Sequence, residues 1–432
     1  MFKRIAIILS FLVVFAFTTL PKKSKLQVKV EELAAQVESK AIEWRHHLHQ
    51  YPELSNREYK TGAYVAEHLK GLGLEVQTGV AKTGVVAILK GGKPGPVVAL
   101  RADMDGLPVP ERVESPWKSN EIGEYNGNEV PVMHACGHDT HVAILMGTAE
   151  VLSKVKDDLK GTVKFIFQPA EEGAPKGEEG GAELMVKEGV LHNPNVDAIF
   201  GLHISSGTHV GKINYRPGGT MASSNSFEIT IHGKQTHGSR PWGGIDPIVT
   251  AAQIINNAQT IVSRNMPLTK EAAVVTFGSV HGGVRSNIIP EEVKLVGTIR
   301  ALDNEMRDEI FERLETIAVK TGESNGARVE VEIHKGYPIT YNDVALTTKM
   351  LPTLQSIVGA TNVNLVPAIT GAEDFSFYQK EVPGFYFFLG GTPDNVATKD
   401  APPHHTPDFY VDDSSLVIGI KAMSRLVVDY SK

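Results

Sequence analysis

Short, continuously apolar stretches alternate with helical patterns over the first half of this chain, and this alternation constrains the fold more than any other feature. Apolar runs at residues 85–89, 97–100, 163–167 and 197–202 have the length of strands, and residues 33–48 carry an apolar side chain every three or four positions. Strands that are apolar on both faces are typical of a parallel sheet with helices packed against it. We therefore expect an α/β domain built on a mixed, mostly parallel sheet.

The pattern changes after Gly211. Strands are predicted at residues 227–231, 272–280, 293–299 and 328–333, with helices at 246–263 and 304–320. The resulting order, β-α-β-β-α-β, is that of the ferredoxin-like unit. A chain of 432 residues also exceeds what a single core usually supports. We expect a discontinuous catalytic domain at residues 26–214 and 339–432, with a smaller ferredoxin-like α+β domain inserted at residues 215–338.

The charge of the chain and its first residues bear on partners and location. With 43 basic and 50 acidic residues the net charge is −7, which gives no electrostatic reason to expect nucleic-acid binding. Lys3 and Arg4 precede an apolar run at residues 5–17, a pattern typical of a secretory signal and short for a membrane-spanning helix. We expect residues 1–25 to direct export, to the periplasm or outside the cell. Because the cleavage site is poorly formed, an uncleaved N-terminal membrane anchor stays open.

The densest group of chemically active side chains is the segment His134-Ala-Cys136-Gly-His138-Asp139-Thr-His141. Cys136 is the single cysteine of the sequence, so no intramolecular disulfide forms. A buried, inert thiol is the ordinary alternative. A Cys-x-His pair turns both side chains toward one ion when the residue between them lets the loop bend tightly, as Gly137 does. We favour metal binding by Cys136 and His138, whereas His141 could equally cap or pack against a helix.

Two adjacent carboxylates, Glu171 and Glu172, follow the strand predicted at residues 163–167. Ligands in open α/β sheets bind at the carboxyl ends of the strands. One carboxylate of such a pair can bind metal while the other stays free to take a proton. A solvated acidic loop is the alternative, since further glutamates lie nearby.

Histidines complete the set of candidates. His203 ends another predicted strand, where a single histidine is more often structural than metal-binding. His404 and His405 lie between prolines in a stiff loop, and composition alone allows either of them to bind metal.

Together these segments resemble the zinc-type aminoacylase and carboxypeptidase superfamily, in the branch of bacterial hippurate hydrolases and plant auxin-conjugate amidohydrolases. The resemblance covers roughly residues 40–430. It rests on six motifs in the family's order: Trp44-Arg45…His49…Pro52-Glu53-Leu54, Arg101-Ala-Asp-Met-Asp105, His134-Ala-Cys-Gly-His-Asp139, Pro169-Ala-Glu-Glu-Gly173, Gly201-Leu-His203 and Gly371-Ala-Glu-Asp-Phe375.

The resemblance implies a zinc-peptidase-like catalytic domain with a dinuclear metal centre. Its ligands would be Cys136, as a bridging thiolate, with His138, Glu172, His203 and one late histidine. Family members place that histidine two residues before a proline, which selects His405. Thiolate and imidazole suit zinc, nickel or cobalt, and carboxylates also accept manganese. Asp103 and Asp105 would orient the metal-binding histidines.

The remaining roles also come from the resemblance. Glu171 takes the place of the general acid/base, and His237 that of the residue that stabilises the oxyanion, often from a partner subunit. Asn287 and Arg300 match the pair that grips the substrate carboxylate, and Gly371 is taken as a further substrate-binding residue. A surface charge at a strand end is the alternative for Arg300.

We therefore predict a metal-dependent amidohydrolase acting on small molecules, namely N-acyl amino acids or short peptides with a free C-terminal carboxylate. The inserted domain is expected to serve as a lid and to form a homodimer. A serine hydrolase is the competing enzyme class, set aside because we expect no Gly-x-Ser-x-Gly turn between a strand and a helix. A non-catalytic receptor for peptides or acyl amino acids on the same fold is the alternative outside the enzymes.

Overall fold

The computed structural model describes residues 23–432, so that nearly all of the predicted signal segment lies outside the described residues. Within residues 23–432, no helix has both the length and the apolar character needed to cross a membrane. The helices are α1 (Lys25–Gln50), α2 (Tyr59–Gly71), α3 (His138–Ser153), α4 (Gly181–Lys187), α5 (Pro247–Thr260), α6 (Asn304–Ser324), α7 (Val344–Val358), α8 (Ser376–Glu381) and α9 (Ser415–Tyr430).

The strands of the larger sheet are β1 (Glu75–Val80), β2 (Gly84–Lys90), β3 (Lys93–Asp103), β6 (Lys160–Gln168), β7 (Ala198–His209), β8 (Ile213–Tyr215), β17 (Val363–Leu365) and β18 (Gly384–Thr392). The inserted sheet contains β10 (Asn225–His232), β12 (Ala273–Gly282), β14 (Glu292–Ala301) and β15 (Arg328–Lys335). Three short ribbons use β4 (Ile122–Tyr125), β5 (Asn128–Pro131), β9 (Gly218–Met221), β11 (Thr236–His237), β13 (Ile288–Ile289) and β16 (Thr340–Asn342).

The larger sheet has the order β1-β2-β6-β3-β7-β18-β8-β17. Its centre is parallel, because β3 pairs in parallel with both β6 and β7, and β7 pairs in parallel with β18. Helices α1, α3 and α9 pack together over one face, while α4 and α8 lie on the other side. The prediction of a mixed, mostly parallel α/β sheet is confirmed.

This topology brings the chemically active strand ends together. The parallel register places Asp103, at the end of β3, beside Gln168, at the end of β6. His203 lies on the neighbouring strand β7. The segment with Glu171 and Glu172 therefore leaves the sheet at the same edge as Asp103 and His203, where open α/β sheets bind their ligands.

The second sheet is antiparallel and has the order β12-β14-β10-β15. Together with α5 and α6 it has a core of its own, around Phe227, Leu295 and Leu314. The element order is the predicted ferredoxin-like one. The domain bounds at residues 215 and 338 stay a prediction.

The strand β3 is longer than the apolar run at residues 97–100 predicts, because it already begins at Lys93 and contains a bulge before Val97. The letters Gly-x-Ser-x-Gly do occur, at residues 322–326. Ser324, however, ends the long helix α6 and its hydroxyl donates to the Thr321 carbonyl, so this segment is a helix terminus and not a nucleophile elbow.

Candidate metal centre

The loop before α3 presents Cys136 and His138 in the way their spacing predicts. Gly137 has φ +93°, and a Cβ there would lie 2.4 Å from the Ile204 side chain, so only glycine fits this bend. The Cys136 Sγ lies 3.3 Å from His203 Nε2 and 3.3 Å from His405 Nε2. One sulfur therefore faces two imidazoles that come from distant parts of the chain.

Carboxylates complete the same cluster. The Glu172 Oε1 lies 3.0 Å from His405 Nε2 and 3.9 Å from His138 Nε2. Glu171 Oε2 lies 3.9 Å from His138 Nε2 on the other side. Cys136, His203, His405, Glu172 and His138 thus converge, with Glu171 beside them.

The two late histidines have different surroundings. The His404 Nδ1 donates to the Cys136 carbonyl and its Nε2 accepts from the Ser206 N–H, so both ring nitrogens are occupied. His405 has φ +63° and its N–H donates to the Ala135 carbonyl, which turns its imidazole toward the sulfur. This geometry favours His405 over His404 as a metal ligand.

His141 is occupied in the same way as His404. Its Nδ1 lies 2.5 Å from Asp103 Oδ1, and its Nε2 accepts from the Ile204 N–H at 2.8 Å. Both contacts together fix the orientation of the ring. His141 is therefore placed to support the wall behind His203 rather than to bind metal.

The backbone around Glu171 and Glu172 is held by one buried carboxylate. Asp105 accepts from the N–H groups of Glu171 and Glu172, each at 3.0 Å, and from the Ser55 hydroxyl at 2.7 Å. Its Oδ1 also lies 3.3 Å from His138 Nδ1. Asp105 thus holds the backbone of Glu171 and Glu172 and also contacts the ring of His138.

Behind this cluster lies a buried charge network that the sequence analysis missed. Arg101 is 2% exposed and donates to Gln168, Asp103, Glu373 and Asp374 at 2.6–2.9 Å. The arginine neutralises carboxylates that would otherwise repel one another without water between them. Arg101 and all three acids lie inside motifs that carry the family resemblance, but nothing in their spacing indicated that they meet.

The surroundings of Glu171 shift its titration. Burial and the carboxylates of Glu373, Glu172 and Asp374 raise the pKa of Glu171 well above its usual value. Burial, together with the nearby carboxylates, also raises the pKa of the Cys136 thiol. Divalent metal ions in the cluster would lower both of these pKa values, because positive charge stabilises the thiolate and the carboxylate.

The helix α1 motif also has a place in the framework. Arg45 Nε and His49 Nδ1 both contact Asp139 Oδ2, at 3.1 and 3.0 Å. Arg45 donates further to the Val411 carbonyl and to Asp413. Helix α1 therefore ties the start of α3, which carries His138, to the loop that follows His405.

The donor set fits divalent metal ions. The two ring nitrogens of His138 and the Glu172 Oε1 are buried and make no well-formed hydrogen bond among the described residues, although Asp105 and His405 lie within 3.3 Å of them. Burial lowers the pKa of His203 well below its usual value, and this keeps its ring neutral, the form that binds metal. Its Nδ1 contacts the Ile204 carbonyl at 2.6 Å, which leaves Nε2 free to face the cluster.

The residues predicted to bind the substrate lie elsewhere. His237 and Asn287 are exposed neighbours on the ribbon β11–β13, where the Gly238 N–H donates to the Asn287 carbonyl. Arg300 lies on β14, and Gly371 lies in the loop that leads to Glu373. Among the described residues, no hydrogen bond or ion pair joins His237, Asn287 or Arg300 to the metal-donor cluster.

Comparison with known proteins gives the family. The model of peptidase family M20/M25/M40 matches residues 99–429. The chain belongs to this family. It is 40% identical over 405 residues to thermostable carboxypeptidase 1 of Saccharolobus solfataricus, covering 93% of this chain and 98% of that protein. It is 36% identical to an N-acetyl-L-cysteine deacetylase of Bacillus subtilis, covering 88% of this chain and 86% of that protein.

A solved structure agrees with the M20 fold. A dinuclear-metal-binding M20 peptidase of Bacillus subtilis superposes with a TM-score of 0.75 at 34% identity, over 91% of this chain and 98% of that one. The predicted resemblance to aminoacylases and carboxypeptidases is confirmed, and so is the prediction of a metallo-amidohydrolase.

Proposed function

We propose that this M20 enzyme hydrolyses the amide bond of N-acyl amino acids or short peptides that carry a free C-terminal carboxylate. The observation that carries the proposal is the convergence of Cys136, His138, Glu172, His203 and His405 with a sixth group, Glu171, whose Oε2 faces this cluster 3.9 Å from His138 Nε2.

The five converging residues would hold two divalent ions, with Cys136 Sγ between the halves of the site because it faces both His203 and His405. Such ions lower the pKa of water toward neutrality and polarise the amide carbonyl. Soft thiolate and imidazole donors favour zinc, nickel or cobalt, and the carboxylates also admit manganese.

Glu171 is the proposed general acid/base. Its Oε1 contacts the Asp374 N–H at 3.4 Å, which leaves Oε2 facing the cluster. Oε2 would take the proton of the attacking water and return it to the leaving amine. A carboxylate placed within reach of both the water and the leaving amine can carry that proton between the two steps.

We propose that Arg300 and Asn287 bind the substrate carboxylate and that His237 donates a hydrogen bond to the oxyanion. Arg300 is half-buried, and no acidic side chain of residues 23–432 pairs with it. A planar guanidinium without an internal partner suits a carboxylate. Gly371, which is exposed, would let substrate pass close to the loop that carries Glu373.

His237 requires either domain closure or a second subunit, and we propose a homodimer through the inserted domain. The edge strand β12 exposes Val280, and Trp242, Val249 and Val284 are also exposed, with Trp242 at 81%. Several large apolar side chains exposed on one domain favour an interface there. Light scattering should find a dimer that W242E dissociates; a monomeric parent protein would rule the dimer out.

The acyl group of the substrate has space next to Glu172. A cavity of about 700 Å³ is lined there by Leu54, Leu107, Pro108 and Tyr125, and also by charged side chains such as Arg57 and Lys176. Its size lies within the range of ordinary ligand pockets and exceeds what an acetyl group fills, so it suits a larger acyl group with both apolar and polar contacts.

Export remains a proposal from residues 1–25, either as a cleaved signal or as an anchor. Fractionation of the producing cells, with mass spectrometry of the mature N-terminus, distinguishes export, anchoring and retention.

The function is tested with ninhydrin detection of the amino acid released from a panel of N-acyl amino acids, with and without a chelator. Chelator-sensitive release is expected. E171Q should lower kcat at least ~100-fold, as loss of a general base does, while two metals remain bound. Silence of the parent protein across the panel would favour a binding protein, and near-normal turnover by E171Q would refute the assignment of the base.

A further inference from the structure

We propose that Glu58, a buried residue outside the metal-donor cluster, positions Glu171 by holding the backbone of Ala170 in a strained conformation. This inference rests on the proposed role of Glu171 as the general acid/base.

The strain lies at the residue before the base. Ala170 is 1% exposed and has φ +53°, the left-handed region that residues with a Cβ avoid. It follows Pro169 at the end of β6 and directly precedes Glu171. The dihedral angles of Ala170 therefore set the direction in which Glu171 leaves the sheet. Backbone strain at such a position persists only when the surroundings hold it.

Glu58 supplies a hold on that residue. Its side chain is completely buried, its Oε1 accepts from the Ala170 N–H at 2.8 Å, and its Oε2 accepts from the Thr83 hydroxyl at 2.6 Å. If Ala170 relaxed to an ordinary conformation, this N–H would turn away and lose its partner inside the protein, which is unfavourable.

The hydrogen bond from the Ala170 N–H is the first of three that consecutive backbone N–H groups donate to buried carboxylates. The next two N–H groups, those of Glu171 and Glu172, both donate to Asp105. Glu58 and Asp105 reach this turn from different elements, one before α2 and one after β3. Asp105 holds the two unstrained peptides, so the strained one depends on Glu58.

Close packing fixes Glu58 itself. Gly62, on the first turns of α2, lies so close to the Thr83 carbonyl that a Cβ there would be 2.6 Å from its oxygen. The Gly62 N–H also donates to the Glu58 carbonyl at 2.8 Å. The start of α2 is thereby pressed against the turn that carries Thr83, and Glu58 has little freedom to move.

The test compares two substitutions at one position. E58M keeps a chain of similar length but removes the acceptor, so kcat should fall about ten-fold, equivalent to ~1.4 kcal/mol, with KM and metal content unchanged. E58Q keeps an acceptor oxygen for Ala170 and should retain kcat. Glycine adopts positive φ freely, so A170G introduced into E58M should restore most of the lost kcat.

A nearby carboxylate provides the control. Glu53 accepts from the Thr61 N–H at 2.8 Å and so caps the same helix without reaching Ala170. E53M should therefore leave kcat within about two-fold of the parent value. If E58M does not fold, T83V, which removes the hydroxyl that orients Glu58, takes its place and should likewise be rescued by A170G.

The results separate the inference from the proposed function. Normal kcat in E58M, loss of metal in proportion to activity, or no rescue by A170G would each overturn the positioning role. A parent enzyme that releases no amino acid across the substrate panel would instead overturn the proposed function, before any Glu58 variant is compared.

Discussion

Replacing Arg101 with methionine tests the buried charge network behind the metal centre. Methionine keeps most of the apolar volume of the side chain and removes its charge. The change leaves Asp103, Glu373 and Asp374 without the guanidinium that they share at 2.6–2.9 Å. Breaking a buried ion pair typically costs about 3–5 kcal/mol, because an uncompensated charge stays in a dry environment.

Protonation of the carboxyls around Arg101 limits the loss of stability in R101M. Burial first, outweighing the attraction of Arg101, raises the pKa of Asp374 to about 8, so this carboxyl is already largely neutral at pH 7. Burial would also raise the pKa of Asp103, but Arg101, His138 and His141 outweigh it and hold this pKa well below the usual value. The loss should therefore resemble that of a single buried pair.

The assay is thermal unfolding followed by circular dichroism. A cost of that size lowers the midpoint by about 3–6 °C in a chain of this length. In R101M the freed carboxyls would have folded-state pKa values above their unfolded values near 4, so the variant gains stability as they protonate. The deficit relative to the parent protein should be largest at pH 8 and shrink toward pH 5.

The matched control is R112M. Arg112 makes a bidentate pair with Asp408 on the surface, where its side chain is 63% exposed. Water already solvates both groups there, so R112M should leave the midpoint nearly unchanged. Equal shifts in R101M and R112M, or a deficit of R101M that does not vary with pH, would refute this reasoning.

Three further predictions concern the metal centre and its cavity. H405A should lose metal while H404A keeps its full complement, as measured by plasma mass spectrometry, since both nitrogens of His404 already have hydrogen-bond partners; equal losses would contradict the assignment. L107W should lower kcat/KM for an N-benzoyl substrate and spare the N-acetyl analogue, because it fills the cavity beside Glu172; equal effects on both would argue against an acyl site there. Chelation should lower the thermal midpoint, and adding back zinc, manganese, nickel or cobalt should restore it, because ions that bind the folded state stabilise it; a midpoint insensitive to chelator would contradict a site filled in the native protein.

Much of the site could be predicted because it follows from local spacing and parallel strand order. Cys136 and His138 needed only a glycine between them, and Glu171 and His203 needed only to lie on or just after the parallel strands β6 and β7, which flank β3. The strand β7 runs on to His209, so His203 lies within it and not at its predicted end. The spacing of residues within a loop and the order of strands and helices can both be recognised in the sequence alone. The M20 resemblance added the choice of His405, which the hydrogen bonds of His404 support independently.

What could not be predicted depends on contacts between distant segments. Glu58 is a lone acidic residue before a helix, and nothing in its neighbourhood signals that it meets Ala170, 112 positions later. Arg101 faces Glu373 across 272 positions. Such pairs are set by how α2 and the loop before α8 settle onto the sheet, which local propensity does not determine. The position of Arg300 and Asn287 relative to the metal-donor cluster depends on how the two domains, or two subunits, are placed against each other.

The distance along the chain between the converging donors has a consequence for biogenesis. The Cys136 thiol contacts the imidazole of His405, 269 positions later. Arg45 on α1 contacts Asp139, which follows Cys136, and Asp413, which follows His405. An incomplete chain emerging from the ribosome or a translocation channel thus holds scattered single donors, each a weak ligand. Capture of the ions is deferred until the segment with His405 has been made and has docked, so loading with metal reports a chain that has folded past this residue.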